Sequence, residues 1–269
     1  MAYCDRIHQV RPLLGFLLPG GLTGLLLAVP LLVLLWHGAD AGFTGYLAEP
    51  SVIQAASLSV FTSGVSLLVT FLLGMPLAYL LARWSFRFKA WIELIIDLPI
   101  VVPPMVAGIG LLLTFGRNGV LGGLLNAWGI HLPFTTAAVI FAQTFVSAPL
   151  FIRAARLGFA AVRPELIEAA YTDGASELVI FGVIMVPLAS RAMLNGLILC
   201  WARAFGEFGA TIVFAGNLMG VTQTMPLVIF NGFETNLGIA LGLSLLLILI
   251  SGVVLLTLRM VEKDTHIGL

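Results

Sequence analysis

Charge is what this sequence has least of. Lys, Arg, Asp and Glu make up 10% of its 269 residues and sum to a formal net charge of zero, whereas a soluble domain carries about 25% charged residues. Lysine is nearly missing, with Lys89 and Lys263 as the two instances. Such a set builds no basic surface for nucleic acid. Neither lysine follows a glycine, so the phosphate-binding pattern G-x-x-x-x-G-K-[ST] is absent and this chain is not expected to bind ATP. Cysteine is scarce as well. Cys4 sits in a tail and Cys200 inside an apolar run, so they read as free thiols and say little about redox compartment. His8, His37, His131 and His266 are scattered over tails and loops without metal-ligand spacing. No nucleophile–base arrangement stands near the end of an apolar segment, so no catalytic residue and no metal site is assigned.

What the chain has instead is apolar length. Hydrophobic residues make up 60% of it, and the mean hydropathy is +1.09. Crossing the hydrocarbon core takes about 20 apolar residues. Six segments qualify, at 13–36, 52–81, 91–115, 134–152, 187–214 and 237–258. The first contains Pro19 and Pro30, with Arg6 and Arg11 ahead of it and Ala39-Asp40-Ala41 behind. That flank resembles a secretory signal, but the run is too long for one, and it reads as an uncleaved span. The second is rich in Ser, Thr and Gly. The third carries Asp97-Leu98-Pro99 and Pro103-Pro104, and a glycine-rich loop at 116–133 follows it. The predicted fold is an all-α polytopic membrane protein of six helices. No internal repeat, low-complexity linker or separate soluble domain interrupts it. The divisions are a tail and first helix at 1–51, five helices at 52–258, and a tail at 259–269.

Short loops rich in Lys and Arg stay in the cytoplasm. With the N-terminus inside, that side holds Arg6, Arg11, Arg83, Arg87, Lys89, Arg153, Arg156, Arg163, Arg259 and Lys263, and the other holds Arg117. Both termini are therefore expected in the cytoplasm, and so is the polar island at 164–187.

That island, PELIEAAYTDGASELVIFGVIMVP, reads as two short helices joined at Gly174. Pro164 suits a first helical position, and Glu165 and Glu168 complement the dipole of the helix start. Gly174 suits a left-handed C-terminal cap, and Ser176 suits an N-cap for the second helix. Ala169 and Ala170 leave a bare face for close packing. On residues alone this is an amphipathic connector at a membrane interface. The spacing of Glu168-Ala169-Ala170, Gly174, Ile184 and Pro187 resembles the EAA loop of binding-protein-dependent ABC importer permeases, with Val186 where the family has Leu. The resemblance implies a cytoplasmic coupling helix that docks on an ATP-binding subunit.

Two further constellations stand within spans. Arg203 and Glu207 in WARAFGEFGAT are four residues apart and are expected on one helix face. Charges at such depth face a bundle interior or an aqueous path. They line or pin a translocation path, together with Thr211, or they are a mutually neutralised pair that holds two helices together. Gly206 and Gly209 allow close helix approach. Asp97, with Glu93 one turn earlier, lies near Arg87 and Lys89, and interfacial pairing with them is the plain reading. Pro99, Pro103 and Pro104 are expected to break or kink the helix, tolerable where freed carbonyls face protein or water, and such a kink suits a gate.

The run from Glu207 to Thr211, Ala215-Gly216-Asn217 and Thr222-Gln223-Thr224-Met225-Pro226-Leu227 are similar to the molybdate permease branch of oxyanion importers, with sulfate/thiosulfate and tungstate permeases close around Gly-Glu-Phe-Gly. The likeness covers about residues 52 to 258. It implies a homodimeric permease in the cytoplasmic membrane, two ATP-binding cassette subunits carrying ATP and Mg, and an extracytoplasmic oxyanion-binding protein. No cofactor is implied for this chain. An ion-coupled secondary transporter is the competing class; such proteins carry intramembrane acids and repeats.

Overall fold

A computed structural model describes the backbone of residues 5–40, 45 and 49–264, and side chains over 16–39, 45 and 49–257. Helices account for the architecture, and no strand occurs among the described residues. Helix α1 (Asp5–Asp40) runs through both Pro19 and Pro30 without ending. From Phe16 to Ala39 its side chains are nearly all exposed, as a helix facing lipid requires, and Gly38 brings it against Leu241 and Leu245. Helix α2 (Pro50–Arg83) starts on a proline at its first position, where the missing N–H costs nothing.

The third predicted span is two helices rather than one. α3 (Lys89–Val101) and α4 (Pro104–Phe115) are bent by 119° at Val102-Pro103. Pro99 stays inside α3, and the break falls at the double proline, where two consecutive residues lack N–H donors. The loop beyond is partly helical, as α5 (Gly122–Ala127). Next comes α6 (Thr136–Ala160), capped by the Thr135 hydroxyl, which accepts from the Ala138 N–H at 3.2 Å.

Helix α6 is the central post. Glu93 of α3 pairs with Arg156 near its end, while Phe115 of α4 meets Phe141 near its start, ring centroids 5.0 Å apart. The broken pair therefore advances along α6 in one direction and acts as a single crossing. That leaves five unbroken candidate spans and one broken one. α7 (Pro164–Thr172) follows, then α8 (Glu177–Phe205), α9 (Gly209–Phe214), α10 (Met225–Thr235) and α11 (Leu237–Asp264).

The fifth span departs from its predicted limits of 187–214. It starts ten residues earlier, because the second island helix and the span are one helix, and it ends at Gly206. Pro187 does not break it. The six residues before Val186, Ile180–Met185, form a π-turn, a widened turn that makes room where the proline ring would press on the preceding carbonyls. α6 and α8 pack closely through small residues. A Cβ on Gly196 would stand 2.6 Å from that of Ala154, and one on Gly158 would stand 2.7 Å from that of Ala192. Without a hydrophobic drive between helices in lipid, such close approach is how spans associate.

Three apolar clusters result. One joins Tyr79 and Leu81 of α2, Phe151 and Phe159 of α6, Ile167 of α7, and Ile180 and Met185 of α8. A second joins α4, α6 and α9 around Leu111, Val139 and Phe214. The third gathers Val52, Phe205, Val228 and Leu243 at the opposite end of the bundle from α7.

Candidate functional site

The island folds as its residues dictate. Pro164 is the first residue of α7, and Glu165 lies in the first turn. Gly174 takes φ +82°. Its N–H donates to Tyr171 O at 3.0 Å and that of Ala175 to Ala170 O at 2.9 Å, the paired bonds that close a helix through a left-handed residue. Ser176 occupies the N-cap of α8 with extended backbone, but its hydroxyl makes no capping bond. α7 is anchored by Ile167, which is buried, while Ala170 and Ala175 pack at the rim of the same cluster. Its other face, with Glu165, Glu168 and Ala169, is exposed. Ile184 lies half-buried in the π-turn, and Pro187 lies within α8. The six residues of the spacing pattern thus divide between an exposed short helix, its glycine stop and the first turns of a membrane helix.

Three side chains beside α7 escaped the sequence reading. The Glu177 carboxylate accepts from the Tyr79 hydroxyl of α2 at 2.5 Å and also from the Tyr171 hydroxyl of α7. Arg83 lies beside both hydroxyls and the carboxylate. The bond to Glu177 chiefly raises the Tyr171 hydroxyl above its ordinary value, and Arg83 opposes the rise. The only sequence signal was the carboxylate itself, just beyond the N-cap position of Ser176.

Arg203 and Glu207 do meet, with Nη1 2.5 Å from Oε2, but not on one helix face. α8 ends at Phe205, so Glu207 lies in the break that Gly206 opens. The freed geometry gives Glu207 a second partner. Its Oε1 accepts from the Ala210 N–H at 2.8 Å, in the first turn of α9. Glu207 is 1% exposed and Arg203 35%, so the acid is sealed in while the guanidinium keeps an open side. Thr211 is wholly buried in α9.

Asp97 lies elsewhere, in a small cavity lined by Glu93, Arg153 and Arg156. The ion pair there is Glu93 with Arg156 of α6, and not with Arg87 or Lys89 as nearness in sequence suggested. A partner 63 positions away was not visible without the fold. Pro99 remains helical beside this cluster, and the hinge belongs to Pro103 and Pro104.

The chain has relatives among known proteins. Residues 71–266 match the family described as binding-protein-dependent transport system inner membrane component. The chain is 36% identical over 240 residues to a probable transport system permease protein, NifC, of Clostridium pasteurianum, covering 89% of this chain and 84% of that protein. It is 38% identical over 229 residues to the molybdenum transport system permease protein ModB of Mycobacterium bovis, covering 85% and 87%. A bacterial ABC transporter involved in import of the acidic polysaccharide alginate has a chain of the same fold, with TM-score 0.78 over 98% of this chain and 99% of that one at 16% identity. With spans, a broken third crossing and an exposed short helix in place, this chain is a multi-pass membrane transport subunit and belongs to the binding-protein-dependent transport system inner membrane component family.

Proposed function

We propose that this chain is the permease of an ATP-driven importer for a tetrahedral oxyanion, with molybdate as its cargo. The observation that carries the energy source is α7: a short helix anchored by Ile167 whose Glu165–Glu168–Ala169 face is left open. The cargo follows the relatives that transport molybdenum. Two copies of the chain form the path, each α7 seats on one of two ATP-binding subunits that hold ATP and Mg, and an extracytoplasmic binding protein delivers the anion. Both termini and α7 lie in the cytoplasm, and lipid covers the outer faces. ATP binding draws the two ATPase subunits together, carries the α7 helices with them, and rocks the spans from inward-open to outward-open. A bistable bundle with a rigid coupling element is enough for this.

Within the path, Arg203 is the cation presented to the anion, and Glu207 fixes its position. Asp97 and Pro99 lie within α3, ahead of the bend at Val102-Pro103, and their part is to keep that limb seated beside Arg153 and Arg156 of α6 as the path opens. A doubly negative ion needs many donors to be held tightly, and this chain offers few. Selectivity therefore resides mostly in the binding protein, and weak holding speeds release.

The test is reconstitution with the ATPase and binding protein. Gly174→Asp puts a side chain at φ +82° and is expected to cut ATP-dependent molybdate uptake by about five- to thirtyfold, the equivalent of roughly 1–2 kcal/mol of strain at the stop of α7. Uptake at the unmodified rate would remove α7 from the coupling role. Titrating the binding protein with molybdate, tungstate and sulfate identifies the cargo.

A further inference from the structure

We propose that Glu177 is a positioning residue that makes α7 move as one body with the ends of α2 and α8. The proposal rests on the reading of α7 as the ATPase-docking helix, and it names the part that turns docking into motion of the spans.

The need for such a part follows from α7 itself. It has nine residues, below the roughly 12–15 at which an isolated helix becomes even marginal in water. Ile167 is its one fully buried residue. Its link to α8 is Gly174, a pivot in the left-handed region with nothing within 4 Å of where a Cβ would stand. A helix held by one apolar anchor and a glycine pivot can swing without moving the span behind it.

Glu177 supplies the missing second tether. Tyr171 lies one turn beyond Ile167 on the same side of α7, and its hydroxyl reaches across the pivot to the Glu177 carboxylate. The other oxygen of that carboxylate accepts from Tyr79 at 2.5 Å. Tyr79 is itself fixed. Its ring meets those of Trp84, Phe159 and Phe181 at centroid separations of 5.6, 5.6 and 4.7 Å, so α2, α6 and α8 all grip it. Arg83 supplies the positive charge beside the carboxylate. A carboxylate with two hydroxyl donors and a guanidinium nearby has little reason to let go, because charge-assisted bonds are the strong ones. The brace therefore converts a push on α7 into a push on three membrane helices.

The experiment uses the whole importer in vesicles, with molybdate uptake and ATP hydrolysis followed on the same preparation. Glu177→Ala and Tyr171→Phe are each expected to lower molybdate moved per ATP by about five- to tenfold, with the ATPase still co-purifying at its usual ratio. The double variant is expected to be no worse than Glu177→Ala alone, because the Tyr171–Glu177 bond that Tyr171→Phe removes is already lost in Glu177→Ala. An unchanged ratio in Glu177→Ala, or additive losses in the double variant, would overturn the proposal. Tyr171→Phe removes one oxygen and keeps the test alive if Glu177→Ala fails to assemble. Failure of the docking reading shows separately, as retention of the ATPase by Glu168→Arg on the exposed face. The brace is then read from amide exchange over residues 165–173, expected to quicken roughly tenfold in Glu177→Ala whether or not an ATPase is bound. Exchange equal to the unmodified chain would sink it.

Discussion

Glu207 shows how much a single side chain carries when a helix stops inside a membrane. One carboxylate oxygen neutralises Arg203, and the other caps the start of α9 through the Ala210 N–H. Loss of a capping acceptor costs about 1 kcal/mol, and stranding one member of a buried pair costs about 3–5 kcal/mol. The open side of Arg203 softens the second figure, since water or an anion can reach the guanidinium. Glu207→Ala is therefore expected to leave assembly largely intact and reduce uptake about tenfold or more, while Glu207→Gln, which still accepts from Ala210, retains more of it. Uptake by Glu207→Ala at the unmodified rate in vesicles would refute the role. Gly174 was legible in the sequence because a left-handed stop after a short polar helix is a local matter. The geometry at Glu207 was not, because it depends on where α8 ends. An i, i+4 spacing read as a helix face becomes a bridge across a break once Gly206 intervenes.

Among the elements that pack on α6, α3 is lightly held. None of its side chains is fully buried, and Glu93 to Arg156 is its one ion pair among the described residues. A charge-assisted hydrogen bond of this kind contributes on the order of 1.5–3 kcal/mol. Arg156→Ala is thus expected to speed amide exchange in α3 by roughly tenfold while leaving α4, which packs tightly on α9, almost unchanged. Equal acceleration in both helices, measured by mass spectrometry, would mean that the two limbs share one support. The contrast between limbs was only half visible beforehand. Pro99, Pro103 and Pro104 announced a break, but three candidates do not choose a hinge. Helix starts and stops were clearest where proline or glycine acts locally, as at Pro164 and Gly174. They were misread at Pro187, where a widened turn absorbs the ring.

At the scale of the molecule, six crossings and their order were legible, because apolar length in lipid leaves few alternatives. Which residues meet across the bundle was not, since the seam of Gly158, Ala192, Gly196 and Ala154 has no local signature. The two ends of the bundle are chemically distinct, with α7 at one and α5 at the other, separated by an α6 of 25 residues, about 37 Å at 1.5 Å each. On a chain with Cys4 replaced by serine and Cys200 left buried, a thiol at Thr172 is expected to react only with cytoplasmic reagent and one at Ala127 only with external reagent. The reverse pattern would invert the orientation drawn from charge.

The π-turn in α8 has a bearing on all of this. Each such turn accommodates about one residue beyond the α-helical count, and one residue is a rotation of about 100°. The portion of α8 from Val186 onward is thus out of phase with the portion that carries Glu177. Cys200, packed on Ser147, and Arg203, aimed at Glu207, hold their azimuths only because the extra residue is there. Straightening the turn by a one-residue deletion would rotate one end of the helix against the other, so the register between the docking end and the charged break is stored in the winding of a single helix.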